Sequence, residues 1–204
     1  MTTLPGADDR ELLKSAPLSV LHTIAGYYIK DADDYLQRFN RLWEAMLHKT
    51  GRIKSFVDLL LACECALKAH IVLSRVREDP GSVYVNVRRY RHDLERLAAD
   101  AKFLENAAIY AEIRERLGPF SVFIRYSLDA YEVFFPSALE RDQALINHSK
   151  TIGSNDWVLE CRDLVAALLP EPQKALSGIV TADLNALMEH DKEMQAFADK
   201  FIRR

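Results

Sequence analysis

Glycine and proline are scarce in this chain, seven of each among 204 residues. So few breakers exclude a loop-rich or collagen-like chain and leave long stretches free to run as helices. Cysteine is scarcer still, at three, which excludes a disulfide scaffold. Cys63 and Cys65 fall about 200° apart around a helix, too divergent to bridge each other or share one metal. The odd count reads as reduced, buried thiols and suits a cytoplasmic protein. A surplus of charge is also missing. The net charge of −3 argues against a generally basic nucleic-acid binder, so any anion site must be local. No apolar run approaches a membrane span, and residues 1–16 are too acidic and polar for a secretory signal or a mitochondrial presequence. A Walker-type glycine loop, HExxH, GxSxG and GxGxxG are all lacking. The six histidines are scattered, so neither a metal nor another cofactor is expected.

What is present is a profile of 49% hydrophobic and 28% charged residues, that of a globular chain able to bury a core without staples. The apolar residues recur at helical intervals. Leu21, Tyr28, Tyr35 and Leu42 lie seven apart, with Ala25, Ala32, Phe39 and Met46 as the companion row. This seam predicts one long helix from about Pro17 to about Thr50, packed in a bundle or against a second subunit. A second helix, about Arg52 to Arg77, is apolar nearly all round and should be central. Residues 82–87 alternate and are β-branched, but one short segment makes no sheet, so an extended connector is expected. Further helices are predicted over about 93–104, 106–117, 120–133 and 156–169, with a polar, weakly helical stretch over 137–150. Pro170-Glu171-Pro172 reads as a stiff connector to a last amphipathic helix, about Thr181 to Ile202. The expected fold is an all-α, up-and-down bundle over residues 17–169. Residues 170–204 would form a linker and a helix packing on that bundle or on a second subunit.

Three segments place polar groups inside apolar helical patterns, where they are costly unless paired. Glu64 and Lys68 stand four apart on one face of the second helix, either as an ion pair or at the edge of a cavity. Arg88, Arg89, Arg91 and His92, interleaved with Tyr84 and Tyr90, crowd the approach to a helix. They form either a solvated charged turn or a phosphate site, with Asp93 as a candidate cap. Arg125 and Tyr126, beside Phe123 and Ile124, could answer Glu64 across the bundle or reach a bound anion.

In this order, Glu64-x-x-Leu67-Lys68, His92-Asp93-Leu94 and Arg125-Tyr126 resemble the HEPN family (higher eukaryotes and prokaryotes nucleotide-binding). The resemblance covers about residues 21–169. It implies a bundle of four or five helices, commonly dimeric and sometimes paired with a nucleotidyltransferase partner. It also implies binding of nucleotides or other phosphates or, in one branch, metal-independent RNA cleavage. The reading that follows is a noncatalytic module that binds a phosphate-bearing ligand, or a partner's nucleic-acid substrate, near Glu64, Lys68, Arg88, Arg91, His92, Arg125 and Tyr126. Lys68 and the arginines would neutralise phosphate, Tyr126 would pack on a base or sugar, and Glu64 would orient Lys68. The alternatives are an RNA endonuclease of toxin or defence type using Arg141 and His148, whose spacing fits the nuclease pattern, and a structural oligomerisation domain. Arg41 and His48 fit the same spacing but fall on one face of the long helix.

Overall fold

The computed structural model describes residues 19–45, 48–135, 146–178 and 183–203. The architecture is an all-α bundle, with no strand among these residues. Its axis is α2 (Lys49–Ser74). Phe56, Leu60, Cys63, Leu67 and Ile71 bury one face, and Val57, Glu64 and Val72 lie buried around the rest. With apolar residues on nearly every side, α2 has no face to give to water, and the other helices close around it.

The largest of these contacts is with α1 (Val20–Ala45). The expected row Ala25, Ala32 and Phe39 is buried, but its deep companion is Ile29, Leu36 and Trp43. Tyr28, Tyr35 and Leu42 sit one residue round and stay half-buried. An antiparallel helix pair with larger contact than a strict heptad seam buries the wider stripe. α1 also ends earlier than the pattern predicts. Lys49 and Thr50 already belong to α2, whose cap is His48: its Nδ1 accepts the Gly51 N–H at 3.0 Å. That explains His48 as a helix cap, with Arg41 exposed on α1.

The segment expected to be extended is helical. α3 spans Pro80–Arg89. Proline at the first helical position, and an Asp79 carboxylate that accepts the Ser82 N–H at 2.8 Å, start a helix where the β-branched run suggests a strand. Val83 and Val87, four apart, then fall on one buried face. α4 (Leu94–Asp100) is capped by Asp93, whose Oδ1 accepts the Arg96 N–H at 3.0 Å. It stops short of Leu104, whose N–H goes instead to the Tyr110 hydroxyl at 2.9 Å. Tyr110 belongs to α5 (Ala108–Arg116) and bonds His70 Nδ1 of α2 at 2.7 Å, while His70 Nε2 meets the Leu168 carbonyl at 2.8 Å. Because that carbonyl can only accept, the hydrogen of His70 resides on Nε2, and Tyr110 donates to Nδ1.

Beyond α5 a single helix is expected, but the chain makes a short 3₁₀ turn, Val122–Arg125, and then α6 (Ser127–Phe134). Phe120, Val122 and Ile124 point inward while Ser121, Phe123 and Arg125 are exposed. The inward anchor is Phe120, 5.1 Å from Phe56 and 5.7 Å from Trp157 between ring centres. Trp157 comes from α7 (Asn155–Ala166). Pro170, expected in a connector, opens α8 (Pro170–Ser177), again from the first helical position.

The last helix, α9 (Leu184–Phe201), lies on α1 and α3. Phe197 meets Tyr84 edge-on at 5.2 Å, His190 Nε2 bonds Thr23 Oγ1 at 2.8 Å, and the Phe201 ring lies directly over Gly81. Any side chain at Gly81 would strike that ring. Leu184, Leu187 and Met188 of α9 remain exposed. Among the described residues no helix is long and apolar enough to cross a membrane.

Candidate functional site

Glu64 is buried by the central position of α2, so its carboxylate needs partners. It has two. Lys68, one turn along, places Nζ 2.5 Å from Oε1, and His92 places Nδ1 2.7 Å from Oε2. The Glu64 and Lys68 side chains are only 5% and 12% exposed, whereas His92 is 42% exposed. The cluster therefore runs from a buried anion to an imidazole at the surface. Lys68 Nζ also lies 5.9 Å from the centre of the Tyr28 ring, within cation–π range. Burial, then the neighbouring Tyr84, pushes the Tyr28 hydroxyl well above the usual phenol range, so it stays neutral.

His92 is held by the α3–α4 connection. Arg91 has φ +50°, the left-handed region that side chains other than Gly and Asn avoid at a cost of about 1–2 kcal/mol. Backbone bonds fix it there: Arg91 N–H to the Arg88 carbonyl at 3.1 Å and Asp93 N–H to the Tyr90 carbonyl at 3.0 Å. Tyr90 is braced in turn, donating to Asp100 Oδ2 at 2.9 Å, and Arg75 holds both Asp100 oxygens at 2.7 Å.

This connection divides two shallow grooves. One, of about 560 Å³, is lined by Arg89, Arg91, His92 and Arg96 on one side and by Pro119 and Phe123 on the other. The second, of about 390 Å³, lies between Tyr84, Arg88, Arg89, Arg91 and Phe201. Arg89 and Arg91 serve both. Among the described residues neither makes an ion pair, and Arg88 lies over the Tyr84 ring at 5.6 Å with its charge also felt at the Tyr28 hydroxyl. Arg96 sits over the Tyr90 ring at 5.2 Å, with the Asp93 carboxylate 4.0 Å away. Among the described residues Arg89 and Arg91 thus line a groove with His92 and have no carboxylate partner, and Arg88 has none in the second groove.

The expected site residues separate into two sets. Glu64, Lys68 and His92 are brought together, and His92 shares the first groove with Arg91, whereas Arg88 lines only the second. Lys68 is consumed by Glu64 and lines neither groove. Arg125 does not answer Glu64. It is exposed, with its Nη2 donating to the Tyr126 hydroxyl at 3.0 Å and its guanidinium carbon 4.8 Å from the Tyr126 ring centre. The turn carrying it reaches the groove through Phe123, whose ring centre is 6.4 Å from that of His92. Arg89, Arg96 and Phe123 are among the groove residues that do not belong to the expected site. Arg96 was signalled by its place in the first turn after the Asp93 cap, and Phe123 by the in–out alternation from Phe120 to Arg125.

Arg141 lies outside the described residues. His148 opens a short 3₁₀ turn, His148–Lys150, and packs on Phe134 and Phe135 at 5.6 and 5.0 Å. Its Nε2 is buried without a hydrogen bond, and burial, followed by Lys49 and Arg52, lowers its pKa. Among the described residues no group of three or more His, Cys, Asp and Glu could hold a metal ion. All three cysteines are free thiols. Burial pushes Cys65 and Cys161 up to about 12, so none is an activated nucleophile at neutral pH. Comparison with protein-family models, curated proteins and solved structures found no match.

Proposed function

We propose that this chain is a noncatalytic helical module that binds a phosphate-bearing ligand, such as a nucleotide or a strand of nucleic acid, in the grooves flanking Arg89 and Arg91. The observation that carries this reading is that Arg89 and Arg91, with no carboxylate partner among the described residues, line a groove with a histidine anchored on a buried glutamate, and that Arg88 joins them in the adjoining groove. Guanidinium groups suit phosphate because their planar donors match its oxygens two at a time. Holding the cations on a braced, left-handed turn lowers the ordering cost of binding. In this reading Glu64 orients His92 as well as Lys68. Lys68 acts through Glu64 rather than on the ligand, and Arg125 with Tyr126 extends the surface beyond Phe123.

The HEPN resemblance agrees with a phosphate ligand and implies a homodimer, in some members with a nucleotidyltransferase partner, while the reduced cysteines favour a cytoplasmic setting. No comparable observation favours the nuclease alternative, since His148 packs its ring on two phenylalanines. The direct test is titration with a nucleoside triphosphate and with single-stranded RNA, at two salt concentrations. Arg89→Glu/Arg91→Glu should reduce affinity on the order of a hundred-fold, as expected for losing two charge-assisted contacts of about 1.5 kcal/mol or more each. It should also flatten the salt dependence. Unchanged affinity in a folded variant would remove the reading.

A further inference from the structure

The cluster contains more than binding requires. A cation groove needs only arginines, yet here a histidine is tied through one ring nitrogen to a buried carboxylate, and that carboxylate is itself held by a buried lysine. A carboxylate oxygen that accepts from Nδ1 fixes the hydrogen on that nitrogen. In the neutral ring the lone pair is then on Nε2, which makes no hydrogen bond among the described residues. His92 also lines the groove with Arg89, Arg91 and Arg96. A single tautomer, a half-exposed ring and cations for the incoming group are what a nucleophilic imidazole requires.

We infer that His92 is a phosphoryl-acceptor residue, modified at Nε2 by a high-energy phosphoryl donor (an acyl phosphate, or the phosphoramidate of another protein's phosphohistidine). In the step, the Nε2 lone pair forms the N–P bond as the bond from phosphorus to the donor's leaving oxygen or nitrogen breaks. The leaving group departs with that bond's electron pair: a carboxylate leaves as the anion, whereas a leaving nitrogen takes a proton from solvent. The positive charge that would build on the ring is relieved through Nδ1, whose proton is shared with or passed to Glu64. Arg89, Arg91 and Arg96 balance the phosphoryl oxygens before and after transfer. Lys68 keeps Glu64 an acceptor without touching the phosphoryl group, so Glu64 and Lys68 are positioning residues. This inference rests on the phosphate-binding reading of the same groove.

The experiment exposes the full chain to potassium phosphoramidate and, separately, to acetyl phosphate near neutral pH. Intact mass and fragment mapping follow, with tripolyphosphate binding measured in parallel. The expected result is one added phosphoryl group at His92, lost in mild acid and stable in alkali, as an N-linked phosphate should be. His92→Gln should abolish it. Glu64→Gln should slow it on the order of ten-fold or more if its helical signal is retained, and the urea-unfolded wild-type chain should react no faster at His92 than at its other histidines. Tripolyphosphate binding with no adduct, or an adduct spread evenly over the histidines of the folded chain, would overturn the inference and leave the binding groove standing. Loss of polyphosphate binding itself would fall first on the binding reading, and an adduct confined to His92 would still support this one.

Discussion

Two buried polar residues of α2 are satisfied by opposite means. Glu64 is charged and answered by Lys68 and His92; His70, fully buried, is neutral and answered by Tyr110 and the Leu168 carbonyl. Removing one member of a buried charge cluster strands the other, so Lys68→Met should destabilise the fold by about 3 kcal/mol in urea unfolding. Adding Glu64→Leu to that variant should restore much of the loss. A double variant as unstable as the sum of the singles would contradict the pairing. His70 makes a different prediction. Burial lowers its pKa to about 4, against 6.5 when unfolded. Between those values the unfolded chain binds the extra proton, so its contribution to stability is complete above about pH 6.5 and is lost as pH falls toward 4. The loss should reach about 3 kcal/mol. Urea midpoints of the wild type should therefore fall through that window, and those of His70→Gln should fall much less. The Glu64–Lys68 pair was legible in the sequence because residues four apart on a helix must meet. The His92 contact was not, because it crosses between α2 and a loop, and no periodicity encodes the path of a loop.

At the scale of elements, local capping decided where periodicity was ambiguous. Alternating β-branched residues from Ser82 to Val87 suggest an extended segment, but Asp79 and Pro80 supply a start signal that outweighs them. Val83 and Val87 then satisfy a helical face as readily as a pleated one. Amide exchange should show Val87 through Tyr90 protected together, and fast exchange across α3 would contradict a packed helix. Asp93 caps α4 and also closes the connection that presents His92. Asp93→Ala should cost about 1 kcal/mol and weaken polyphosphate binding, although removing an acid beside the proposed phosphate site should by charge alone strengthen it. Tighter binding in Asp93→Ala would show that the cap has no part in positioning the site.

Across the whole molecule, the all-α class and the central place of α2 follow from composition and from apolar residues on every face of one helix. The way the grooves form does not. It depends on Phe120 anchoring in the Phe56–Trp157 cluster so that Phe123 faces His92, and on Phe201 lying over Gly81 to wall the second groove. Gly81→Leu should lift the end of α9 and lower the thermal midpoint while leaving the His92–Glu64 contact in place; an unchanged midpoint would mean α9 contributes nothing there. In the proposed site Glu64 fixes the His92 ring and leaves Nε2 for a phosphate held by the arginines. Long-range proton–nitrogen correlation spectra of the histidine side chains, recorded with and without tripolyphosphate, test it most directly. The expected spectra show the His92 hydrogen fixed on Nδ1 and an Nε2 resonance that moves on titration in the wild type but not in Arg89→Glu/Arg91→Glu. A His92 ring averaging between tautomers and unmoved by polyphosphate would contradict it.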